Sequence, residues 1–593
     1  MIELFPHSPK LLHSYIRKKK KGRLSIGPLK LPNGQTVDEP TTMSNILVDA
    51  FASVFVGTTP IVPAPGPVQL ENMEIVEFSL GDVESVLKGL DVSTAAGPDN
   101  MHPALLKSCA LELSYPLFII FQKSLQHSVL PSLWKTSLVA PIFKSGSRYS
   151  PLNYRPVSLT SVCCKAMERI LVEQLKEHLE DNGLLSTHQF GFRKARSTED
   201  QLLLTYKEVT DWTNEGYVVD MALLDLSKAF DLVNHSVLLI KLRNLGVCGL
   251  LISWVEAFLR NRVMRVLVDG CCSEERDVLS GVPQGSVLGP VLFLVYVNDL
   301  TRGALCSFKA FADDYKLYVR HKQDKALATT GTLELQHDLD LVSSTAQSWN
   351  LRLNPEKCVV MRFSRYRRDL IKGPSLSPYH IGGVQMKFVM THRDLGVIID
   401  SSLKFHNHVG NTVRSASGLA NNLLRSTVCH SASFMVSLWV THIRPVLDYC
   451  STVWNTGYLG DLRLLESVQR RWTKQIEGCE ELDYGARLRE LSLFSVKVRL
   501  LRSDLIKYWK IIRGHGVLED SGIFTLSEVV HTRGHLYKLR APEANTDIHK
   551  RIFSARCVRL WNRLPSEVVE ADSVDTYKRL LVLHLGDVLY EFV

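Results

Sequence analysis

The sequence has few cysteines, no long hydrophobic run and no apolar leader. Its 12 cysteines among 593 residues have neither the density nor the spacing of a disulfide framework or a structural zinc site, so we expect buried thiols, a reducing compartment and no zinc. The longest apolar run, residues 287–297, is interrupted by Gly289 and Pro290 and is too short to span a membrane. No apolar stretch precedes the first basic cluster, so we expect this segment not to be a secretory signal. These absences predict a protein of the nucleus and cytoplasm.

A strong excess of charge of one sign is also missing. Lys and Arg number 70 against 61 Asp and Glu, which gives a net charge of +9. That excess is compatible with a polyanionic partner but is too small to indicate one. Hydrophobic residues make up 45% and charged residues 22% of the chain, which excludes a wholly disordered protein. At roughly 150 residues per domain, the length predicts three or four domains.

Two changes of pattern divide the chain. Residues 1–70 end in a proline-rich run, TTPIVPAPGPVQL, which predicts a linker region and makes the segment before it a separate piece. Residues 71–400 alternate helical and strand-like periodicities, as in an α+β or α/β core. After Asp400 amphipathic helices dominate, so we expect two mostly helical regions over residues 401–480 and 481–593.

The clearest of the later helices is predicted over residues 461–477, with Gly478 as its stop. One face carries an apolar stripe. The opposite face carries four cations: Arg463, Arg470, Arg471 and Lys474. A solvated face is one interpretation of these cations, and a surface that follows a phosphate backbone is the other.

Two strand-like segments bring carboxylates to strand ends. In GYVVDMALLDLSKAFD, alternate residues from Val219 to Leu223 share one strand face with Asp225, so a carboxylate emerges where an apolar face ends. In FKAFADDYKLYV, Asp313 and Asp314 fall where a two-residue hairpin turn is expected. An isolated Asp pair at a turn is commonly only turn chemistry. The combination with Asp225 is what indicates a site.

Carboxylates from two separate strands suit Mg²⁺, which prefers hard oxygen ligands in octahedral geometry. Two such ions a few ångström apart can activate an attacking hydroxyl and stabilise the leaving pyrophosphate of a nucleotide. Phosphoryl transfer of this kind depends mainly on positioning and electrostatics. Asp225, Asp313 and Asp314 are therefore candidate ligands for two Mg²⁺ ions, with Mn²⁺ as an alternative.

A series of motifs follows in a fixed order. LLDLSKAFD precedes SGVPQGSVLGPVLFLVYVNDL, FADD, NPEKC and DLGVIID. AAGPDNMHPALLK, APIFKSG, NYRPVSLTSVCCKAMERIL and HQFGFRKARST lie upstream, and IRPVLDYCSTVWN, LLESVQRRWTK and VRLWNRLPSEVV lie downstream. In this order the motifs closely resemble the reverse transcriptases of non-LTR (LINE-type) retrotransposons of the jockey and chicken-repeat kind. The resemblance covers nearly the whole chain.

The resemblance implies an architecture and an activity. The fold would be α+β, a right-hand polymerase with fingers and palm in residues 71–400 and core motifs in about 125–400. A helical thumb would follow in 401–480, and a mostly helical C-terminal region in 481–593. The implied activity is RNA-directed DNA polymerase, which extends a DNA 3′ end on an RNA template by two-metal nucleotidyl transfer. The implied partners are an RNA template, a DNA primer and dNTPs.

The resemblance also implies roles for residues of the palm. Asp225, Asp313 and Asp314 would bind the catalytic Mg²⁺ ions, in agreement with the interpretation from the residues themselves. Phe230, five positions after Asp225, would place a ring below the incoming sugar, where it collides with a 2′-hydroxyl and favours deoxynucleotides. An ordinary core Phe is the alternative interpretation.

Further roles are implied for the segments around the palm. The glycines of SGVPQGSVLGP, including Gly285, would let the backbone approach a base pair closely, and Gln284 would hydrogen-bond near the template-primer. Lys144 in PIFKSG and Arg155 in NYRPVSL would clamp the triphosphate, whose charge Mg²⁺ only partly neutralises. Lys357 in NPEKC would donate a proton to the leaving pyrophosphate, with a surface lysine as the alternative.

One expected part is missing from the sequence. Autonomous elements of this family carry an endonuclease upstream of the polymerase, and no endonuclease-like metal-binding motif is found in this chain, so we expect a truncated copy or a partial gene product. The run Arg17–Lys21 fits a nuclear-targeting or nucleic-acid contact, or a solvated charge run. A catalytically idle nucleic-acid-binding remnant and a maturase-like reverse transcriptase remain the alternative functions.

Overall fold

A computed structural model describes residues 26–31, 33–55, 57, 73, 76–322, 325–366, 379–516, 518, 522–527 and 534–592. The basic run Arg17–Lys21 lies outside these residues. They form a mixture of helices and strands, as expected for an α+β protein. None of the helices in these ranges is long and apolar enough to cross a membrane.

A six-stranded sheet, the central sheet, organises the middle of the chain. Its longest strand, Val218–Ser227, pairs antiparallel with Asp314–His321 on one side and with Val359–Phe363 on the other. The sheet continues through Ser307–Phe311 at one edge and Lys387–Phe388 at the other, and Arg352–Leu353 pairs with the end of the longest strand.

The strand Val218–Ser227 is buried on both faces. Val219, Met221 and Leu223 belong to one hydrophobic core, whereas Ala222 and Leu224 belong to another. The predicted alternation is therefore confirmed, but the prediction of a half-buried strand is wrong, because each face of the sheet supports a core of its own. The core that contains Ala222 is built from nine helices of the described residues: Leu80–Lys88, Pro103–Ser108, Ala110–His127, Ser132–Lys135, Val162–Asp181, His235–Asn244, Gly249–Leu259, Gly289–Val297 and Lys325–Ser348.

A second, five-stranded sheet lies beside this core. Thr136–Phe143 pairs antiparallel with Tyr154–Leu159 and parallel with Arg262–Val268. The short strands Cys271–Cys272 and Arg276–Val278 both pair with Arg262–Val268.

The segment before the proline-rich run packs against this second sheet. It forms a small hairpin, Leu29–Lys30 with Thr36–Val37, and a helix, Pro40–Ala52. Glu39 caps the helix by accepting hydrogen bonds from the first backbone N–H groups. The apolar face of the helix shares a core with the sheet: Met43, Leu47, Val48 and Phe51 with Val139, Met264 and Val266. The prediction of a separate piece is therefore wrong for residues 26–55.

Two small hairpins, His380–Ile381 with Val384–Gln385 and Thr391–Asp394 with Val397–Asp400, precede the helical part. Beyond Asp400 the described residues contain one isolated bridge, between Leu526 and Leu539, and are otherwise helical or irregular, as predicted. The elements are His406–Ser426, Ala432–Leu438, a π-helical turn Trp439–Ile443, Arg444–Asp448, Ser451–Trp454, Leu459–Thr473, Tyr484–Glu490, Val496–Ile512, Asp547–Arg551, Phe553–Arg556, Val558–Trp561, Ser566–Val569, Val574–Leu585 and a 3₁₀ turn Gly586–Tyr590.

The helix predicted over 461–477 forms, but its bounds differ. It spans Leu459–Thr473 and ends before Gly478. The backbone N–H of Gln475 bonds to the Trp472 carbonyl, and that of Glu477 bonds to His430, so the α-helical ladder stops early.

The later helices pack onto the central sheet through one shared core. This core contains the Val219 face of the sheet, the helix Thr198–Asn214 and the helices after Asp400. Polar contacts reinforce the packing. Lys507 forms an ion pair with Asp200 and lies 3.4 Å from Glu199, and His549 Nε2 is within hydrogen-bond distance, 3.0 Å, of an Asp211 oxygen. Residues 401–480 and the described part of 481–593 therefore share their interior.

Candidate active site

The three predicted carboxylates lie together at one end of the central sheet. Asp314 is the direct cross-strand partner of Asp225. Phe311 pairs with Asp314 across the hairpin, so Ala312 and Asp313 form the two-residue turn, which we call the catalytic turn. The sequence predicted a turn made of Asp313 and Asp314, one residue further along. Ala312 has a φ of 56°, the left-handed conformation that tight hairpin turns require.

The electrostatic environment of the carboxylates reflects their crowding. Partial burial raises the pKa of Asp313, and Asp225 raises it further, while Arg155 and Lys144 lower it. Desolvation by the surrounding protein and the nearby carboxylates of Asp313, Asp394 and Asp225 raise the pKa of Asp314 to about 6, although part of its side chain remains exposed. Carboxylates that disfavour each other's charge in this way are typical of a cation site.

The three carboxylate side chains are close in space but do not point to one common position. Within the ranges that the structure describes, no three His, Cys, Asp or Glu side chains converge as they would around a bound ion. The backbone pairing of Asp225 with Asp314, and the position of Asp313 in the turn, bring the trio into one neighbourhood.

Three predicted cations face the same neighbourhood. Lys357 Nζ lies 3.2 Å from Asp225 Oδ2. Lys144 directly follows the strand Thr136–Phe143, and Arg155 lies on the neighbouring strand of the second sheet. Partial burial lowers the pKa of Lys144, and Arg155 and Lys357 lower it further, whereas Asp225 and Asp313 raise it. The second sheet thus directs positive charge towards the carboxylates of the central sheet.

Phe230 is half-buried in an aromatic group. Its ring stacks on Phe293 with 4.2 Å between centroids and 16° between planes. Phe192 approaches Phe230 edge-on at 6.0 Å. Phe192 is 44% exposed and has a φ of 56°, a conformation that costs energy for a bulky residue. Contacts on both sides therefore fix the position of the Phe230 ring.

The loop SGVPQGSVLGP is held by hydrogen bonds to two neighbouring segments. Gln284 Nε2 donates to Asp231 Oδ1 at 2.9 Å, and the Gln284 carbonyl accepts from Ser158 N at 2.7 Å. Gly285 has a φ of 122°, and a Cβ there would lie 2.4 Å from the Ser158 carbonyl oxygen. Gly285 thus approaches the strand Tyr154–Leu159, which carries Arg155, whereas the approach to a base pair stays a prediction.

The four cations of the helix Leu459–Thr473 and its cap are all exposed. Helical spacing places all four on the side away from the apolar stripe. The guanidinium of Arg470 also lies over the rings of Tyr484 and Phe592, 4.9 Å and 5.2 Å from their centroids. The apolar stripe is buried as predicted: Leu462, Leu465, Val468, Trp472 and Ile476.

Two contacts near the site involve residues to which the sequence alone assigned no role. Gln189, within the motif HQFGFRKARST, accepts a hydrogen bond from the backbone N–H of Ala312 at 2.8 Å. Lys316, two residues after Asp314, forms a buried ion pair with Asp394 at 2.6 Å. The motifs HQFGFRKARST and DLGVIID were visible in the sequence, but nothing local shows which of their side chains meet the hairpin.

Comparison with known proteins agrees with this geometry. Residues 142–398 match the family model described as reverse transcriptase (RNA-dependent DNA polymerase). The chain is 26% identical over 520 residues, 83% of its length and 56% of the relative's, to a probable RNA-directed DNA polymerase from transposon BS of Drosophila melanogaster. It is 29% identical to the RNA-directed DNA polymerase from mobile element jockey of the same organism, over 69% of this chain and 44% of the relative.

A third relative, the probable RNA-directed DNA polymerase from transposon X-element of Drosophila melanogaster, is 27% identical over 69% of this chain and 45% of its own length. The chain thus spans about half the length of the curated relatives it matches. The family match contains Lys144, Arg155, Asp225, Asp313 and Lys357 within its bounds. Residues 142–398 therefore match a reverse transcriptase domain, and the chain is similar to the RNA-directed DNA polymerases of the mobile elements BS, jockey and X-element.

Proposed function

We propose that the chain is an RNA-directed DNA polymerase that extends a DNA 3′ end on an RNA template. In this proposal the central sheet is the palm, the second sheet belongs to the fingers, and the helices after Asp400 form the thumb and the C-terminal region. The observation that carries the proposal is the pairing of Asp225 with Asp314 across two strands, with Asp313 in the adjoining turn.

The chemistry of the donors suits a pair of Mg²⁺ ions, although the three side chains would have to turn towards each other to hold them. Asp225, Asp313 and Asp314 supply hard oxygen donors, which Mg²⁺ prefers over other ligand types. Desolvation and the neighbouring carboxylates raise the pKa values of Asp313 and Asp314, so a bound cation would offset the cost of their negative charge. When bound there, the ions would activate the primer hydroxyl and stabilise the leaving pyrophosphate. Mn²⁺ would fit the same donors.

The remaining side chains have roles that follow from charge and position. Lys144 and Arg155 would bind the triphosphate, because several negative charges enter a space that both cations face. Lys357, whose ammonium contacts Asp225, would hold the proton that the leaving pyrophosphate takes. Phe230 would stand below the sugar and exclude a 2′-hydroxyl. Gln284 would act near the template-primer from a loop fixed to Asp231.

The helix Leu459–Thr473 would contribute to holding the template-primer. Its exposed cations Arg463, Arg471 and Lys474 are spaced along one surface and would neutralise backbone phosphates. Arg470 would contribute less, since its guanidinium already lies over two rings.

Primer extension tests the proposal. The purified chain is given an RNA template with an annealed DNA primer, dNTPs and Mg²⁺, and binding of the duplex is measured in parallel. The wild-type chain should extend the primer, whereas Asp313→Asn should bind the duplex equally well and extend nothing above background. Binding without extension by the wild-type chain would identify it as the idle nucleic-acid-binding remnant.

A further inference from the structure

The segment 186–196, here called the brace loop, lies against the catalytic turn and is itself held firmly. The backbone of His188 and Phe190 bonds to Ala310 on the hairpin strand, both bonds at 2.9 Å. Arg193 donates to Glu180 at 2.9 Å and to the Ser186 carbonyl at 2.6 Å. The brace loop is thus joined to the strand that leads into the catalytic turn.

Gln189 connects the brace loop to the turn by its side chain. Its Oε1 accepts hydrogen bonds from the N–H groups of Gly191 at 2.9 Å and Ala312 at 2.8 Å. Its Nε2 lies 3.4 Å from the Ala312 carbonyl oxygen. Two N–H donors on one side require the amide oxygen there, so the orientation of the amide follows from its partners. Gln189 is 4% exposed, which shields these bonds from water.

The brace loop packs tightly against the catalytic turn. A Cβ at Gly191 would lie 2.4 Å from the backbone nitrogen of Ala312, so only glycine allows this approach. Ala312 is 5% exposed and held at a φ of 56°, a conformation that an alanine keeps only when its surroundings impose it. Asp313 is the next residue, so a movement of the Ala312 peptide groups also moves Asp313.

We propose that Gln189 is a positioning residue of the polymerase, which holds the peptide groups of Ala312 by hydrogen bonds, here called the amide clasp, and thereby fixes Asp313 in the turn beside the Asp225–Asp314 pair. This inference rests on the proposed function for its catalytic consequence. Gln189 is buried, and its amide is bonded to the backbone of Gly191 and Ala312. It acts through the backbone of the catalytic turn alone.

Asn562 supplies a matched control. Its Oδ1 accepts from Leu539 N–H at 2.9 Å and its Nδ2 donates to the Leu539 carbonyl at 2.8 Å. A side-chain amide thus bonds both the N–H and the carbonyl of one residue, as Gln189 does at Ala312, but in the C-terminal region. Asn562→Ala therefore reports the general effect of removing such a clasp, separate from any effect on the catalytic turn.

Hydrogen–deuterium exchange of the full chain tests the clasp without relying on activity. In Gln189→Ala the peptide that contains residues 308–316 should exchange about tenfold faster than in the wild type, while in Asn562→Ala it should exchange at the wild-type rate. Gln189→Met keeps the size of the side chain but has no amide to bond the Ala312 N–H and carbonyl, so its turn should exchange as fast as that of Gln189→Ala. Wild-type exchange in Gln189→Ala would overturn the proposal. If that variant does not fold, wild-type exchange of the turn in Gln189→Met would overturn it.

Steady-state kinetics tests the catalytic consequence. Gln189→Ala should lower kcat for dNTP incorporation about tenfold or more, with KM for dNTP and Kd for template-primer within about twofold of the wild type. A loss of kcat no larger than that of Asn562→Ala would show that the clasp serves folding alone. An inactive wild-type chain with the predicted exchange pattern would contradict the proposed function and leave the clasp established.

Discussion

The ammonium of Lys357 lies 3.2 Å from Oδ2 of Asp225, with the two side chains 52% and 34% exposed. An ion pair this open to water adds little to stability. We expect Lys357→Ala to change Tm by less than about 2 °C and to lower kcat about 10- to 100-fold, because the variant has no proton donor at this position. Lys88→Ala, which removes a similarly exposed pair with Glu84, is the control. A kcat equal to that of the control would make Lys357 an ordinary surface lysine.

Removal of the Phe230 ring should change sugar selection. The ring is held by its stacking on Phe293, so in the proposed site its edge would have a fixed place against the sugar. In Phe230→Ala the preference for dNTP over rNTP should fall about 10- to 100-fold, as measured by the ratio of kcat/KM values. Phe230→Tyr keeps the ring and should keep the preference. An unchanged ratio in the alanine variant would leave Phe230 as a core residue only.

The raised pKa of Asp314 predicts that its ionised carboxylate, the form that would bind a metal ion, destabilises the metal-free fold. Because the pKa rises from its ordinary value of 3.8 to about 6, the folded chain binds that proton more tightly than the unfolded chain. The stability of the metal-free protein should therefore fall as pH rises from about 4 to 6 and stay lower above it.

Asp314→Asn removes this penalty. Its metal-free Tm should exceed the wild-type value by about 1–2 °C at pH 7.5 and match it at pH 4, as measured by calorimetry. Added Mg²⁺ should raise the Tm of the wild type more than that of the variant. A lower Tm of Asp314→Asn at pH 7.5 would contradict the proposed environment of this carboxylate.

The exposed cations of the helix Leu459–Thr473 should contribute to the salt dependence of binding. Changing Arg463, Arg471 and Lys474 to Gln should reduce the slope of log K against log salt by about 0.7–0.9 for each phosphate that the variant no longer neutralises. Filter binding of the template-primer at several salt concentrations measures this slope. The control changes Lys88 and Lys123 to Gln. These lysines lie on helices of the core that contains Ala222. A slope equal to the control's would make the helix a solvated face.

Local patterns predicted those parts of the fold that depend on neighbouring residues. The alternation from Val219 to Leu223 indicated a strand with two distinct faces, and the structure places these faces in two cores. The helix Pro40–Ala52 also had local signals, a capping Glu39, Pro40 in its first turn and apolar residues at helical spacing. The proline-rich run after it led us to predict a linker instead.

Long-range contacts set the features that the sequence did not reveal. The bond from Ala312 to Gln189 joins residues 123 positions apart, and no periodicity in either segment signals it. The early end of the helix Leu459–Thr473 depends in the same way on a backbone bond to His430. The candidate carboxylates could be chosen from their strand ends, whereas the side chain that fixes their turn becomes visible only once both segments are folded.

The most direct test of the central claim is the single-turnover rate of incorporation of one correct dNTP on an RNA template. The assignment of Asp225 as an essential carboxylate predicts a measurable rate for the wild-type chain. It predicts a rate lower by about a thousandfold or more for Asp225→Asn, with the same Kd for the template-primer. Equal rates for the two proteins, or no incorporation by the wild type with Mg²⁺ or Mn²⁺, would contradict the account.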